Sequence, residues 1–348
     1  MNVMKVMLAL ALFGAIMQSI VQGDVLRCGA SAAVSGWSPL SLSATETVPL
    51  NRCAAGTASQ QAEGEETVAR DPAPASSITI ASATITPSFE PSLTRAHMQE
   101  VIERTLHTHP EVRLILFGEV ILGWFGKKGE TREYHESIAE PVPGPSTQFF
   151  ADLARRHGVY ISFGLSERDG DAIYNTQVLV SPEGELLAKH RKFWVFNPAF
   201  TPGEQGLTLA EVDGAKLAIL VCADVRSLGL LRQIRRENVD IVLAALADYG
   251  TDASMSEIIG TFFDAWAFTA NRCGKEDAIE WHGVTTITDR WGRLVQVSLE
   301  GECVLIQEIS LERGSSLARF ARRMLTPFRT VGLILSMLAR RAWASLVG

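Results

Sequence analysis

From Ile78 onward the chain switches repeatedly between short apolar runs and stretches whose apolar positions recur every three to four residues. "ITIASATI" (78–85) reads as a strand, and "SLTRAHMQEVIERTLHTH" (92–109) as a helix with Met98, Val101, Ile102 and Leu106 on one face. "VRLILFGE" predicts a buried strand, "STQFFADLARRHG" a helix and "VYISFGL" another strand. "YNTQVLVSPEGELLAKHRK" has the form of a hairpin turning at Pro182 to Gly184. "KLAILVC" predicts a strand, "LGLLRQIRREN" a helix, "VDIVLAALA" a strand and "MSEIIGTFFDAWAFTANRCG" a helix. "GVTTITDRWGRLVQVSL" and "CVLIQEI" close the region with antiparallel character. Strands alternating with helices indicate one α/β domain with layered sheets, and no internal repeat is apparent.

The ends read differently. Behind Lys5 an apolar run extends from Val6 to Met17; Gln18 and Ser19 follow, and Val21 and Gly23 are small enough for a cleavage site before Asp24. That layout fits a secretory signal and is short for a membrane span; a retained anchor or a mis-assigned start codon are the alternatives. In an exported protein Cys28 and Cys53 could pair, although nothing in the segment requires it. Ser, Ala, Thr, Gly and Pro dominate from about Gly29 to Ser77, a composition too poor in apolar surface to offset ordering entropy. The expected organisation is a signal peptide or anchor at 1–23, a flexible linker at 24–77, a folded domain at 78–311 and a basic tail at 312–348.

Across 348 residues the chain is 47% hydrophobic and 20% charged, as expected of a substantial core, and its net charge of −7 gives no reason to expect nucleic acid as a partner. The charge is uneven: from Arg313 to the end there are seven arginines and no acid. Leu317, Phe320, Ala321 and Met324 fall at helical spacing among them. Such a helix suits an anionic membrane surface, or packs on the domain or on a second subunit. The charge-free run from Thr330 to Ala339 is too short to cross a bilayer.

Reactive groups in α/β folds collect where strands end, because the loop beyond is free of ladder constraints. Three strand ends carry candidates: Glu119 in "LILFGEVILGW", Lys192 in "AKHRKFW" and Cys222 in "LAILVCAD". A thiol nucleophile needs a base, and a nearby cation favours the thiolate. Each residue alone has a plainer reading: a small buried hydrophobe for Cys222, a loop charge for Glu119, a solvated basic face for Lys192. Asp224 reads as a loop anchor accepting backbone N–H groups rather than as a catalytic group. Cys273 and Cys303 read as core residues. The seven histidines form no metal-binding set and no Walker or Rossmann glycine pattern is present, so neither a metal nor a cofactor is expected.

Taken in order, "FGEVILGW", "YNTQVLVSPEGELLAKHRKFW", "FTPGE" and "LAILVCAD" resemble the nitrilase (carbon-nitrogen hydrolase) superfamily over about residues 78 to 310. The resemblance rests on Glu119 with Gly123 four residues on, on Tyr174, Asn175, Pro182, Gly184, His190, Arg191 and Lys192, and on Cys222 with Asp224. It implies an αββα sandwich and a catalytic triad. Cys222 would be the nucleophile, Glu119 the general base, and Lys192, with a backbone N–H beside Cys222, the stabiliser of developing negative charge. The implied substrate is a small amide or, less in keeping with the breadth of the family, a nitrile. The implied assembly is a homodimer.

Three departures from that pattern stand out. Ala223 occupies a position where the family usually has Tyr or Trp. "FWVFNPAF" carries no acid where many members have a second Glu, and Glu204 comes only after Gly203. "DAWAFTANRCG" replaces an R-A-x-E-N-like element. Beside hydrolysis two other functions are consistent with the sequence: membrane-associated N-acyl transfer, which exists in one branch of the family, and a binding protein that kept the fold without activity. The N-terminal layout points to an exported protein, periplasmic or extracellular, with membrane association through the tail as a further expectation.

Overall fold

The alternation within single strands explains the layering. In β3 (Val112–Phe117), Leu114 and Leu116 point one way and Ile115 and Phe117 the other, and all four are buried. A strand buried on both faces must lie between two apolar layers. The structure, a computed structural model, describes residues 77–312 and 315–347 and the short strand β1 (Val48–Pro49). The signal peptide or anchor and most of the linker expected from the sequence lie outside the described residues, as do Cys28 and Cys53.

One sheet has seven strands. Besides β1 and β3 it contains β2 (Ser77–Thr84), β4 (Tyr160–Asp169), β5 (Ala172–Val180), β6 (Leu186–Arg191) and β15 (Cys303–Ser310), in the order β1-β15-β2-β3-β4-β5-β6. The other has six strands: β7 (Thr208–Val212), β8 (Ala215–Val221), β9 (Ile241–Ala245), β10 (Trp266–Ala270), β13 (Thr285–Thr288) and β14 (Leu294–Ser298), in the order β14-β13-β10-β9-β8-β7. Ile80, Leu114 and Leu179 of the first sheet meet Leu217, Leu243 and Phe268 of the second in the central layer. Helices α1 (Pro91–Thr108) and α3 (Pro145–His157) cover the outer face of the first sheet, α1 through the expected Met98, Val101 and Ile102. Helices α4 (Leu228–Arg236) and α5 (Ser254–Phe263) cover the second through Leu230, Ile234 and Phe263. The result is the αββα sandwich. A short helix α2 (Thr131–Ile138) and a small hairpin, β11 (Gly274–Glu276) with β12 (Ile279–Trp281), complete the rim.

One expected element is corrected. The helix anticipated over 255–274 stops at Phe263, and β10 follows it, parallel to β9. Asp264 takes a left-handed conformation at φ 55°, which ends the helix. The aromatic and β-branched "WAFTA" then supplies the partner that β9 needs on that side. The final helix α6 (Ser316–Val347) continues through Pro327, and no helix among the described residues is long and apolar enough to cross a membrane.

Candidate active site

Glu119 follows β3 through Gly118, which cannot carry a side chain: a Cβ there would sit 2.8 Å from the Asn271 carbonyl oxygen. The Glu119 carboxylate is fully buried and accepts three hydrogen bonds. Oε1 takes the Lys192 ammonium and the Asn175 amide, each at 2.6 Å, and Oε2 takes the Ala247 N–H at 2.9 Å. Lys192 leaves the end of β6, where its own N–H donates to the Asn175 carbonyl at 2.8 Å. Asn175 therefore holds the lysine by its backbone and the glutamate by its side chain.

Cys222 leaves the end of β8 at φ 44° and opens a 3-10 helix, Cys222–Arg226. Val120, beside Glu119, is similarly left-handed at φ 43°. Such conformations cost on the order of 1–3 kcal/mol each and persist where surrounding structure over-determines them. The Cys222 thiol points to the Ala247 carbonyl at 4.0 Å, while the N–H of the same residue binds Glu119. The Ala247 residue thus ties the thiol to the carboxylate. Cys222 also lines an opening of about 60 Å³ with Arg226, Ala244, Asp248, Ile259 and Thr288.

Electrostatics fix the resting protonation. Burial pushes the thiol up to about 12; the carboxylates of Glu119 and Asp248 reinforce the shift, and Lys192 opposes it. Burial works against the charge on Lys192, but Glu119, Cys222 and Asp224 together outweigh it and hold the ammonium above its ordinary range. A neutral thiol and a charged lysine thus flank a buried carboxylate.

A second link joins the strand of Lys192 to the loop of Cys222. His190 and Asp224 each lie two residues from those groups, and His190 Nε2 donates to Asp224 Oδ2 at 3.0 Å. Asp224 Oδ1 accepts the Trp194 N–H at 3.0 Å, so the aspartate is the loop anchor expected from the sequence and also a tether to β6. Both side chains are buried.

Comparison with known proteins gives the family and the fold. The family model described as carbon-nitrogen hydrolase matches residues 79–319. The chain belongs to the carbon-nitrogen hydrolase family. It is 33% identical over 178 residues to a formamidase of Bacillus cereus (strain Q1), covering 47% of this chain and 51% of that protein. It is 29% identical over 184 residues to a nitrilase of Pyrococcus abyssi, covering 51% and 69%. The match thus spans about half the length of the formamidase. Among solved structures, Nit3 of Saccharomyces cerevisiae, of the nitrilase superfamily, superposes with a TM-score of 0.62 at 21% identity, covering 68% of this chain and 91% of that one. A carbon-nitrogen hydrolase from Helicobacter pylori G27 gives 0.61 at 20% identity, covering 74% and 95%. These likenesses establish the carbon-nitrogen hydrolase fold.

Within that fold the three candidates named from the sequence, Glu119, Lys192 and Cys222, converge. Glu204 is exposed and makes no hydrogen bond or ion pair with the described residues, whereas Glu119 is enclosed. Ala223 is buried at 5% exposure. Cys273 and Cys303 are buried core residues as expected, and among the described residues no group of His, Cys, Asp and Glu could hold a metal.

Sequence reasoning did not single out the clamp behind Glu119. Arg272, fully buried, donates to the carbonyls of Glu119 and Val120 at 3.2 Å and of Gly123 at 2.6 Å. Its Nε donates to Glu276 Oε1 at 2.6 Å, and Glu276 Oε2 accepts the Phe125 N–H at 2.6 Å. Together they fix the loop from Glu119 to Phe125. The available signal was an arginine in "FTANRCG", directly after a strand-like run, followed four residues later by an acid.

Proposed function

We propose that the protein is a thiol hydrolase of small amides, with Cys222 as nucleophile, Glu119 as general base and acid, and Lys192 as the cation facing the developing oxyanion. The observation that carries this reading is the buried Lys192–Glu119 pair at 2.6 Å, joined to Cys222 through Ala247. The thiol is protonated at rest, so attack requires proton removal as the C–S bond forms. Cys222 Sγ adds to the amide carbonyl carbon, its proton passes to Glu119, and the carbonyl π pair becomes an oxyanion near Lys192 and the N–H following Cys222. Collapse re-forms the carbonyl and breaks the C–N bond, and the amine departs with the proton from Glu119. Glu119 next takes a proton from water as that water attacks the thioester. Collapse of the second oxyanion releases the carboxylic acid and returns a proton to sulfur. Losing one oxyanion donor costs about 3–4 kcal/mol of barrier.

An amide is favoured over a nitrile because formamidases stand beside the one nitrilase named among the relatives above, and because a structurally similar amidase from Nesterenkonia sp. AN1 carries, in a mutant form, the acetamide moiety of fluoroacetamide on its active-site cysteine. The test is ammonia release from formamide, acetamide and longer amides, with Cys222→Ala as control. Release that requires Cys222 supports the reading. No turnover of any amide or nitrile would leave the binding-protein alternative. Acyl transfer to an added amine in preference to water would favour the transferase alternative. Export of the chain is proposed on its N-terminal layout alone and is tested by N-terminal sequencing of the mature protein.

A further inference from the structure

We propose that the loops around the candidate active site form an aromatic shelf that binds an aryl group of the substrate amide. The inference rests on the hydrolase reading and names the class of amide. Phe196 and Tyr249 are 72% and 71% exposed, and both belong to loops that leave strands carrying the site. Phe196 lies four residues beyond Lys192. Tyr249 lies two residues beyond Ala247, whose N–H binds Glu119, and next to Asp248, which lines the opening at Cys222.

Both loops are pinned, so the rings are held outward rather than left loose. The Trp194 N–H donates to Asp224 Oδ1 at 3.0 Å, and Asn197 Nδ2 donates to the Phe125 carbonyl at 3.4 Å. Phe193 and Val195 pack against two different apolar clusters of the interior, which leaves Phe196 facing out. In the second loop the Asp248 N–H donates to Asn271 Oδ1 at 3.0 Å, and its carbonyl accepts Asn271 Nδ2 at 2.9 Å.

The loops also meet through their rings. Tyr249 lies 6.2 Å from Trp281, Trp281 lies 5.6 Å from Phe125, and the Phe125 carbonyl holds Asn197, next to Phe196. The Trp194 ring is 6.5 Å from that of Phe196. The loops that begin at Glu119, Lys192 and Ala247 thus each reach an aromatic ring within six residues. Rings fixed in this way lose little freedom on contact, and their faces and edges select another ring by offset or edge-on stacking. Beyond them the chain turns polar, with Lys127 and Lys128 after Phe125, and Thr251 and Asp252 after Tyr249. The two exposed rings offer roughly 300 Å² of surface, well short of the roughly 800 Å² per partner of a stable protein interface. A single aryl group of a molecule already seated at Cys222 matches that size.

The test is calorimetric binding of 3-phenylpropionamide and of propionamide to the full chain carrying Cys222→Ala, so that neither amide is consumed. Phe196→Ala and Tyr249→Ala are added to that background one at a time, and ammonia release is followed in parallel with Cys222 intact. Both rings are exposed, so the far-ultraviolet spectrum stays unchanged in either variant. The expected result is that 3-phenylpropionamide binds about tenfold more tightly than propionamide. Each variant loses most of that preference and leaves propionamide binding as it was. No preference between the two amides, or a preference that survives both substitutions, overturns the proposal. A preference that depends on the two rings, with no ammonia released from either amide, upholds the shelf and defeats the hydrolase reading alone.

Discussion

Replacing Glu119 by Gln removes one charge while keeping side-chain volume, and the hydrogen bonds at the site set the size of the effect. The carboxylate satisfies three donors: the Lys192 ammonium, the Asn175 amide and the Ala247 N–H. A glutamine offers one acceptor oxygen. Turned toward Lys192 and Asn175, it points its own N–H₂ at the Ala247 N–H; turned the other way, it points that group at the ammonium. Either way a donor is left facing a donor, and Lys192 keeps a buried charge without its partner. Removing one member of a buried pair costs about 3–5 kcal/mol. The ammonium, held up chiefly by Glu119 against burial, falls toward and below its ordinary range. Loss of general-base assistance alone lowers turnover by about 10²–10⁴, or about 3–5 kcal/mol in the barrier. The assay is kcat and kcat/KM for ammonia release from the best small amide, alongside a denaturant midpoint to establish folding. A folded Glu119→Gln protein within about tenfold of wild-type kcat would refute the assignment of Glu119 as the proton-transfer group.

Further outcomes follow from the same contacts. Asp224→Ala leaves His190 Nε2 and the Trp194 N–H without their acceptor, costing about 1–3 kcal/mol of stability, and loosens Lys192 relative to Cys222. The expected signature in steady-state kinetics is a fall in kcat with KM little changed. Arg272→Met frees three carbonyls and strands Glu276, so the denaturant midpoint should drop by the equivalent of about 3–5 kcal/mol; an unchanged midpoint would contradict the clamp. His135 is buried, with its ring bonded to Ser166 and the Phe125 carbonyl, and burial lowers its pKa to about 4. The unfolded chain therefore binds the proton more readily. Stability should fall as pH drops from 6.5 toward 4, by about 3 kcal/mol, and His135→Gln should flatten that slope in denaturation at each pH. At the alkaline end the sign is the same for Cys222 as for any group raised on folding. Its contribution is complete below pH 9 and is lost as pH rises toward 12, so Cys222→Ala should blunt the alkaline loss.

Much of the candidate site was legible because it lies at strand ends that announce themselves as apolar runs closing on a reactive residue. Glu119, Lys192 and Cys222 needed only chain order and the family pattern around them. What joins them was not legible. Asn175 lies in the hairpin of residues 174–192, but its two-handed role depends on β5 lying beside β6 and on Glu119 reaching across from β3. Ala247 acts through its backbone, and no side-chain pattern marks that. The Arg272–Glu276 clamp looks like a charge in a core strand until the β11–β12 hairpin folds back.

The strand after Phe263 carries a helix-like pattern because Ala, Phe and Trp suit either period. The residue that ends the helix, Asp264, is held by arginines about sixty positions later in the chain. The tail carried its apolar spacing in plain view. Which of its sides faces the domain was decided only by the partners of Arg322, Thr326 and Thr330.

The most direct test of the central claim is labelling of the full chain with limiting iodoacetamide, an amide-shaped electrophile, at neutral pH. Intact mass and peptide mapping would be read for wild type, Cys222→Ala and Glu119→Gln. A single rapid adduct on Cys222, absent in Cys222→Ala and slowed in Glu119→Gln, is the predicted result: a protonated thiol that reacts through its neighbouring carboxylate. Slow adducts spread over several cysteines, or a Cys222 rate unchanged in Glu119→Gln, would contradict it.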